Sequence, residues 1–200
     1  AKGCARIDLD ELKNRGDLAL TVIEAKKARG FGEVLRFKIE SATRPDPAKT
    51  RIRVRYIPPS GHDTEGVDLP KDIDKLVRSN QCLACHQVEA SSVGPSYLDV
   101  ALKYQTRKEA VEYLKGKLKS GGAGVWGDVP MPPQAALGDA DADKVVRAII
   151  GLSKGVTEKA GSLQGEVKLA EDFGAEPGGA WEVIAESENY SPARLRIPAK

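Results

Sequence analysis

Hydrophobic and polar residues alternate along both ends of the chain, as they do in β-strands. In residues 51–57, Ile52, Val54 and Tyr56 fall on one face and three arginines fall on the other. This period of two predicts a strand with one buried side and one solvent-facing side. Comparable runs predict strands at residues 18–23, 34–39, 51–57, 165–169, 181–185 and 193–197.

The middle of the chain changes to a period of three to four residues, which indicates amphipathic helices. Ile73, Leu76 and Val77 predict a helix that starts at Pro70 or Lys71, and a short helix is expected at residues 97–104, after Pro95. A further short helix is expected near the N-terminus, at residues 9–14.

Two longer helices are expected after residue 105. Thr106 and Glu109 have the spacing of a capping box, and Gly121 is expected to end the helix that follows it. Asp139 is expected to cap the last helix, which ends near Gly151.

These patterns predict an α+β chain in four parts. They are a β-rich N-terminal segment (residues 1–57), a linker rich in proline, glycine and acidic residues (58–70), a helical domain (71–155) and a β-rich tail (156–200). Neither β-rich flank is large enough for a comfortable core of its own, and the two have opposite net charge. We therefore hypothesise that both flanks form one β-unit into which the helical domain is inserted.

Composition excludes several classes of protein. The 200 residues are 40% hydrophobic and 30% charged, with a net charge of +2, which is typical of a soluble protein with a packed core. No apolar run approaches the roughly 18 residues of a transmembrane helix, and no signal peptide is visible. No basic stripe with interleaved aromatic residues is present, so nucleic-acid binding is not expected. Cys4 is expected to be a buried or free thiol, with a lipid anchor as the alternative.

The sequence Cys-Leu-Ala-Cys-His at residues 82–86 is the C-x-x-C-H haem attachment motif. The spacing lets the thiols of Cys82 and Cys85 reach two vinyl groups while His86 faces the iron. A redox dithiol and half of a zinc site are the alternatives. The first is expected to follow a strand, and the second needs another pair of Cys or His ligands.

A second axial ligand has to come from elsewhere in the chain. Met131, the single methionine, lies in a proline-stiffened segment that cannot be the interior of a helix. A fixed loop with one thioether suits a distal ligand. Core filler is the ordinary role of methionine, and His62 in the linker is the rival ligand.

Three motifs make residues 71–152 resemble a class I cytochrome c of the small bacterial electron-transfer kind. They are CLACH at 82–86, VGPSY at 93–97 and GGAGVWGDVPMPP at 121–133. The resemblance implies an all-α domain around one covalent haem c, with thioethers at Cys82 and Cys85 and with His86 and Met131 as axial ligands. It also implies that the Pro95 carbonyl accepts the proton of the other His86 nitrogen, and that Trp126 packs near a haem propionate.

The expected function is therefore one-electron transfer without catalysis, because both axial positions of the iron are filled. The expected partner is a redox protein or a fused dehydrogenase domain, in the periplasm or another extracytoplasmic compartment. The alternative is a haem enzyme or gas sensor in which Met131 dissociates. Carbohydrate binding by the tail through Trp181 is a weaker hypothesis, because a tryptophan is more often part of the core.

Overall fold

The computed structural model describes residues 16–23, 26–59 and 69–200. Cys4, the helix expected at 9–14, His62 and most of the linker expected at 58–70 lie outside these residues. The described chain forms two compact units. The first combines residues up to 59 with 155–200, and the second comprises the described part of 62–154.

The first unit is built from β-strands. In chain order they are β1 (Gly16–Asp17), β2 (Ala19–Val22), β3 (Val34–Glu40), β4 (Thr50–Ile57), β5 (Val156–Ala160), β6 (Gln164–Lys168), β7 (Ala180–Ser187), β8 (Tyr190–Ser191) and β9 (Ala193–Pro198). One sheet has the order β2-β3-β6 and another has the order β5-β4-β7-β9; all pairs in both are antiparallel. The short strands β1 and β8 pair in parallel.

A single hydrophobic core joins the two larger sheets. Its members come from alternate positions of strands in both sheets, including Phe37 and Ile39 of β3, Val54 of β4 and Trp181 of β7. Strand β3 alternates buried and exposed residues along its whole length. This is the pattern expected of a sheet with one face in the core.

The strand pairing combines both flanks of the chain in one sheet. Strand β4, from the N-terminal flank, lies between β5 and β7, which both come from the C-terminal flank. Arg55 of β4 is opposite Val156 of β5, and the amide of Tyr56 donates to the carbonyl of Gly155 at 2.9 Å. This is the pairing that the insertion hypothesis requires.

The sequence predicted that the arginine side of β4 faces solvent, and this prediction is wrong. Arg53 and Arg55 are 3% and 4% exposed. Arg53 donates to Glu158 of β5 at 2.8 Å, and Arg55 donates to Glu182 of β7, itself 3% exposed, at 2.5 Å. Because β4 is central in its sheet, carboxylates of both neighbouring strands neutralise its arginines, as buried charges require.

Trp181 belongs to the core, not to a carbohydrate-binding surface. Its side chain has no exposed area, and its indole nitrogen donates to the carbonyl of Arg29 at 3.0 Å. The ring also makes edge contacts with Phe31 and Tyr56. A stacking platform for a sugar must be accessible, so the hypothesis of sugar binding through Trp181 is wrong.

The second unit is helical. Its helices are α1 (Lys71–Ser79), α2 (Tyr97–Tyr104), α3 (Ala110–Ser120) and α4 (Asp139–Gly151), and a short 3-10 helix spans Cys82–Ala84. Ile73 and Val77 of α1, Leu98 of α2, and Val145 and Val146 of α4 are buried, so each of these helices turns an apolar face inward. No helix in the described residues is both long and apolar enough to cross a lipid bilayer.

Two of the expected helix caps are wrong. Helix α3 begins at Ala110 with Glu109 as its N-cap, so Thr106 and Glu109 form no capping box. Two consecutive turns occupy the place of the expected first helical turn. In the first, the amide of Arg107 donates to the carbonyl of Tyr104, and in the second, the amide of Ala110 donates to the carbonyl of Arg107. In α4 the cap is Gly138, and Asp139 is the first helical residue.

Candidate functional site

A tight backbone curl brings the cysteines and His86 of the C-x-x-C-H motif into one short segment. The amides of Cys85 and His86 both donate to the carbonyl of Cys82, at 3.2 and 3.0 Å. The preceding residue, Gln81, has a left-handed conformation with φ of 57°. All three motif side chains line one cavity.

Three residues after the motif fix the ring of His86. Nδ1 lies 2.7 Å from the carbonyl oxygen of Pro95, which can only accept, so Nδ1 carries the proton and Nε2 has its lone pair available. The phenol ring of Tyr97 stacks on the imidazole, with centroids 5.4 Å apart. A Cβ atom at Gly94 would lie 2.6 Å from Cε1 of His86, so only glycine permits this close approach.

The start of α2 holds Tyr97 in this position. Ser96 caps the helix by accepting from the amide of Asp99 at 2.9 Å. The amides of Tyr97 and Leu98 donate to the carbonyls of Gln87 and Val88, both at 2.9 Å, and so connect the helix start to the chain just after His86.

Met131 is anchored at the end of α3. Its amide donates to the carbonyl of Gly122 at 2.8 Å, and the amide of Gly122 donates to the carbonyl of Met131 at 3.1 Å. The amide of Gln134 donates to the carbonyl of Leu118 in α3 at 2.7 Å. The proline-rich segment is therefore fixed by backbone hydrogen bonds on both sides of Pro132 and Pro133.

The cavity between these segments has a volume of about 590 Å³. Its lining includes Cys82, Cys85, His86 and Met131 and is otherwise mostly apolar, with Val77, Leu114 and Ile149 among the contributors. Lys117 is the one Lys, Arg, Asp or Glu residue among the described residues that line it. Two thiols, an imidazole and a thioether in an apolar cavity are the donor set that fits a covalently attached haem.

Trp126 lies at the rim of the cavity. It contributes to the lining and is 44% exposed. The ammonium group of Lys103 lies 4.7 Å from the centre of its ring, a cation–π contact.

Comparison with known proteins supports a haem as the cofactor of this domain. Residues 71–147 match the model of the family described as cytochrome c. Cytochrome c-552 of Hydrogenobacter thermophilus is 51% identical over 79 residues, which cover 40% of this chain and 80% of that protein. The chain belongs to the cytochrome c family. It therefore carries one covalently bound haem c and transfers electrons through it.

Other relatives match the same part of the chain. Cytochrome c-552 of Nitrosomonas europaea is 48% identical over 77 residues, covering 38% of this cytochrome c and 75% of the relative. The crystal structure of the wild-type Nitrosomonas europaea protein covers 40% of this chain and 98% of that chain, at 47% identity and a TM-score of 0.39.

Burial affects the titration of two groups at the attachment motif. Burial raises the pKa of the Cys82 thiol above its ordinary value. Burial also raises the pKa of the Tyr97 hydroxyl, and the nearby Cys82 adds to that shift. Both shifts favour the neutral, protonated form of the group.

Sequence reasoning missed several residues that shape this site. The sequence did not predict the contacts of Gly94 and Tyr97 with His86. It also did not predict the hydrogen bonds of Gly122 with Met131 or the position of Lys117 in the lining of the cavity. Gly94 and Tyr97 belong to the VGPSY motif, but their contacts with His86 depend on how closely two chain segments approach each other. The spacing of residues in the sequence does not give that distance.

Proposed function

We propose that Cys82 and Cys85 form the two thioether bonds of the haem and that His86 and Met131 are its axial ligands. The observation that carries this proposal is the single cavity lined by all four side chains. Pro95 supports it by holding the proton on Nδ1 of His86, which leaves Nε2 available for the iron. On this proposal the second unit is an all-α class I cytochrome c domain.

The proposed ligand set makes the domain an electron carrier and not an enzyme. The haem supplies a one-electron couple between ferric and ferrous iron. If His86 and Met131 occupy both axial positions, oxygen and other small ligands have no coordination position to bind. A thioether ligand also favours the reduced state, so we expect a midpoint potential at the positive end of the c-type range.

Electrons are proposed to enter and leave at the apolar rim of the cavity. Val93, Val125 and Val129 line the cavity and are 57%, 42% and 64% exposed. Exposed apolar side chains of this kind suit a small, short-lived contact with a redox partner. That partner is a separate redox protein or a dehydrogenase domain of the same polypeptide. Trp126, on the same rim, is proposed to lie near a haem propionate.

The proposed location is the periplasm or another extracytoplasmic compartment. Bacterial assembly of covalent haem takes place outside the cytoplasmic membrane, and the names of the relatives are those of c-type cytochromes. Fractionation of cells that express the full chain tests this placement, and recovery of the holoprotein in the cytoplasm would contradict it.

Carbon monoxide distinguishes the carrier from the haem enzyme or gas sensor. The purified full-chain holoprotein is reduced and exposed to the gas at neutral pH, and Met131→Ala serves as the matched variant with an open position. We expect no spectral change in the wild type and rapid binding in Met131→Ala. Rapid binding by the wild type would instead favour the function in which Met131 dissociates, and a strongly negative midpoint potential would contradict ligation by Met131.

A further inference from the structure

Helix α3 ends in a conformation that brings its last turn against Met131. Gly121 follows the helix with φ of 67°, and Gly122 has φ of 151°. The amide of Gly121 donates to the carbonyl of Lys117 at 2.9 Å, which ties the glycine to the helix. The two hydrogen bonds between Gly122 and Met131 then connect the helix end to the proposed ligand.

Gly121 packs against the backbone of the methionine segment without any space for a side chain. A Cβ atom there would overlap the carbonyl oxygen of Met131. It would also lie 3.0 Å from the nitrogen of Pro133 and 3.1 Å from the carbonyl carbon of Pro132. All three are main-chain atoms of a proline-stiffened segment, so they cannot move aside as the end of a flexible side chain can.

We propose that Gly121 is a positioning residue for Met131. By allowing the end of α3 to contact the Met131 carbonyl, it holds the thioether in the cavity and keeps the sixth coordination position closed to small ligands. This inference rests on the proposed ligation by Met131. It adds that the thioether alone does not keep the sixth coordination position closed. The contact between Gly121 and the backbone of the methionine segment is also required.

Two other glycines of the same domain provide matched controls for Gly121→Ala. Gly116 lies within α3, and a Cβ atom there meets nothing within 4 Å. Gly124 has φ of 88°, and a Cβ atom there also meets nothing within 4 Å. Gly116→Ala therefore controls for an added methyl group, and Gly124→Ala controls for the strain of a left-handed residue.

The test uses the full-chain holoprotein and reads the far-red charge-transfer band of methionine-ligated ferric haem, the midpoint potential and the rate of carbon monoxide binding. In Gly121→Ala we expect the band to weaken, the potential to fall and carbon monoxide to bind about tenfold faster or more. Both control variants should keep the wild-type band and rate. A wild-type band and rate in a folded Gly121→Ala protein, or the same changes in Gly124→Ala, would overturn the inference.

A measurement on the wild type covers the case in which Gly121→Ala does not fold. The amide protons of Gly122 and Met131 should exchange with solvent at least about tenfold more slowly than in an unstructured peptide. Exchange at the unstructured rate would overturn the inference. Absence of the charge-transfer band from the wild type, or its persistence in Met131→Ala, would instead refute the ligation by Met131 itself.

Discussion

The imidazole ring of His86 stacks on the phenol ring of Tyr97, with an angle of 17° between the two planes. Tyr97 is 5% exposed, so this contact is part of the domain interior. Together with the hydrogen bond from Nδ1 of His86 to Pro95, it fixes one face and one nitrogen of the proposed proximal ligand. Pro95 and Tyr97 therefore determine the direction in which Nε2 of the imidazole points.

Replacing Tyr97 should separate the contribution of its aromatic ring from that of its hydroxyl group. Tyr97→Phe keeps the ring, and we expect it to lower the free energy of unfolding by about 1 kcal/mol or less. Tyr97→Ala removes a large buried ring, and we expect a loss of about 3 kcal/mol or more. Denaturant titrations of the holoprotein, followed by circular dichroism, measure both values. Equal losses in the two variants would show that the ring contact is unimportant.

Gly94 should be intolerant of any side chain because its neighbour is the His86 ring. In Gly94→Ala the new Cβ atom would lie 2.6 and 2.9 Å from Cε1 and Nδ1 of the imidazole, so the ring must shift and strain its bond to Pro95. We expect a loss of about 1–3 kcal/mol in stability, as for an overpacked core, and a change in the midpoint potential. Gly151→Ala is the control, since its Cβ atom meets nothing within 4 Å. A wild-type potential in Gly94→Ala would contradict this expectation.

Removal of Glu182 should destabilise the β-unit strongly. Its buried carboxylate accepts from Arg55 and also lies 3.7 Å from Arg194 and 3.6 Å from Arg196. We expect Glu182→Gln to cost about 3–5 kcal/mol, because it leaves buried positive charge without its carboxylate. The double variant Arg55→Met/Glu182→Met should cost clearly less.

The control for Glu182 is an ion pair on the other sheet. Arg36 and Glu166 lie 3.1 Å apart, with more than half of each side chain exposed. Glu166→Gln should change stability by about 0.5 kcal/mol or less, because exposed pairs are screened by solvent. Chemical denaturation monitored by tryptophan fluorescence compares these variants. Equal effects of Glu182→Gln and Glu166→Gln would refute the role of burial.

The stability of the haem domain should fall in acid partly through Asp143 of α4. The hydrogen bond from Arg147, at 2.6 Å, holds the pKa of this carboxyl below its ordinary value, and Lys115 of α3 contributes in the same direction. Because the folded-state pKa is the lower one, the carboxylate stabilises the fold above the ordinary value of 3.8, and this contribution is lost as pH falls through the folded-state pKa.

Asp143→Asn removes this titrating group. We expect the variant to be less stable than the wild type at neutral pH and to lose less stability on acidification below pH 4. Melting temperatures measured across the acid range give the comparison. Parallel curves for the two proteins would contradict the linkage.

Periodicity predicted the elements that have a clear apolar pattern and missed those that lack one. Strand β3 and helix α2 were expected within a residue of their observed bounds, because each has a strong pattern and clear end signals. Strand β5 was missed, since its sequence Val-Thr-Glu-Lys-Ala has no alternating apolar residues and forms through pairing with β4. The buried arginines of β4 were missed for a related reason: their carboxylate partners lie more than 100 residues away in the chain.

The residues proposed to hold the haem were all predictable from motifs, but their supports were not. The attachment motif and Met131 are visible in the sequence because covalent attachment and ligation need particular side chains at particular spacings. Other residues hold those ligands in place, as Gly121 does by packing against the Met131 carbonyl. Their role depends on how closely main-chain segments approach each other in the folded protein. Residue type alone carries little information about such approaches.

The adjacency of β4 and β5 makes the haem domain equivalent to a very long hairpin loop. The strand that leads toward residues 62–154 and the strand that follows them are hydrogen-bonded neighbours, with Arg51 opposite Ala160 and Arg55 opposite Val156. The entropy of closing a loop grows only slowly with its length, so such a sheet tolerates a whole domain where another protein has a short turn. The strand order of the β-unit is therefore compatible with either a short turn or a whole domain between β4 and β5.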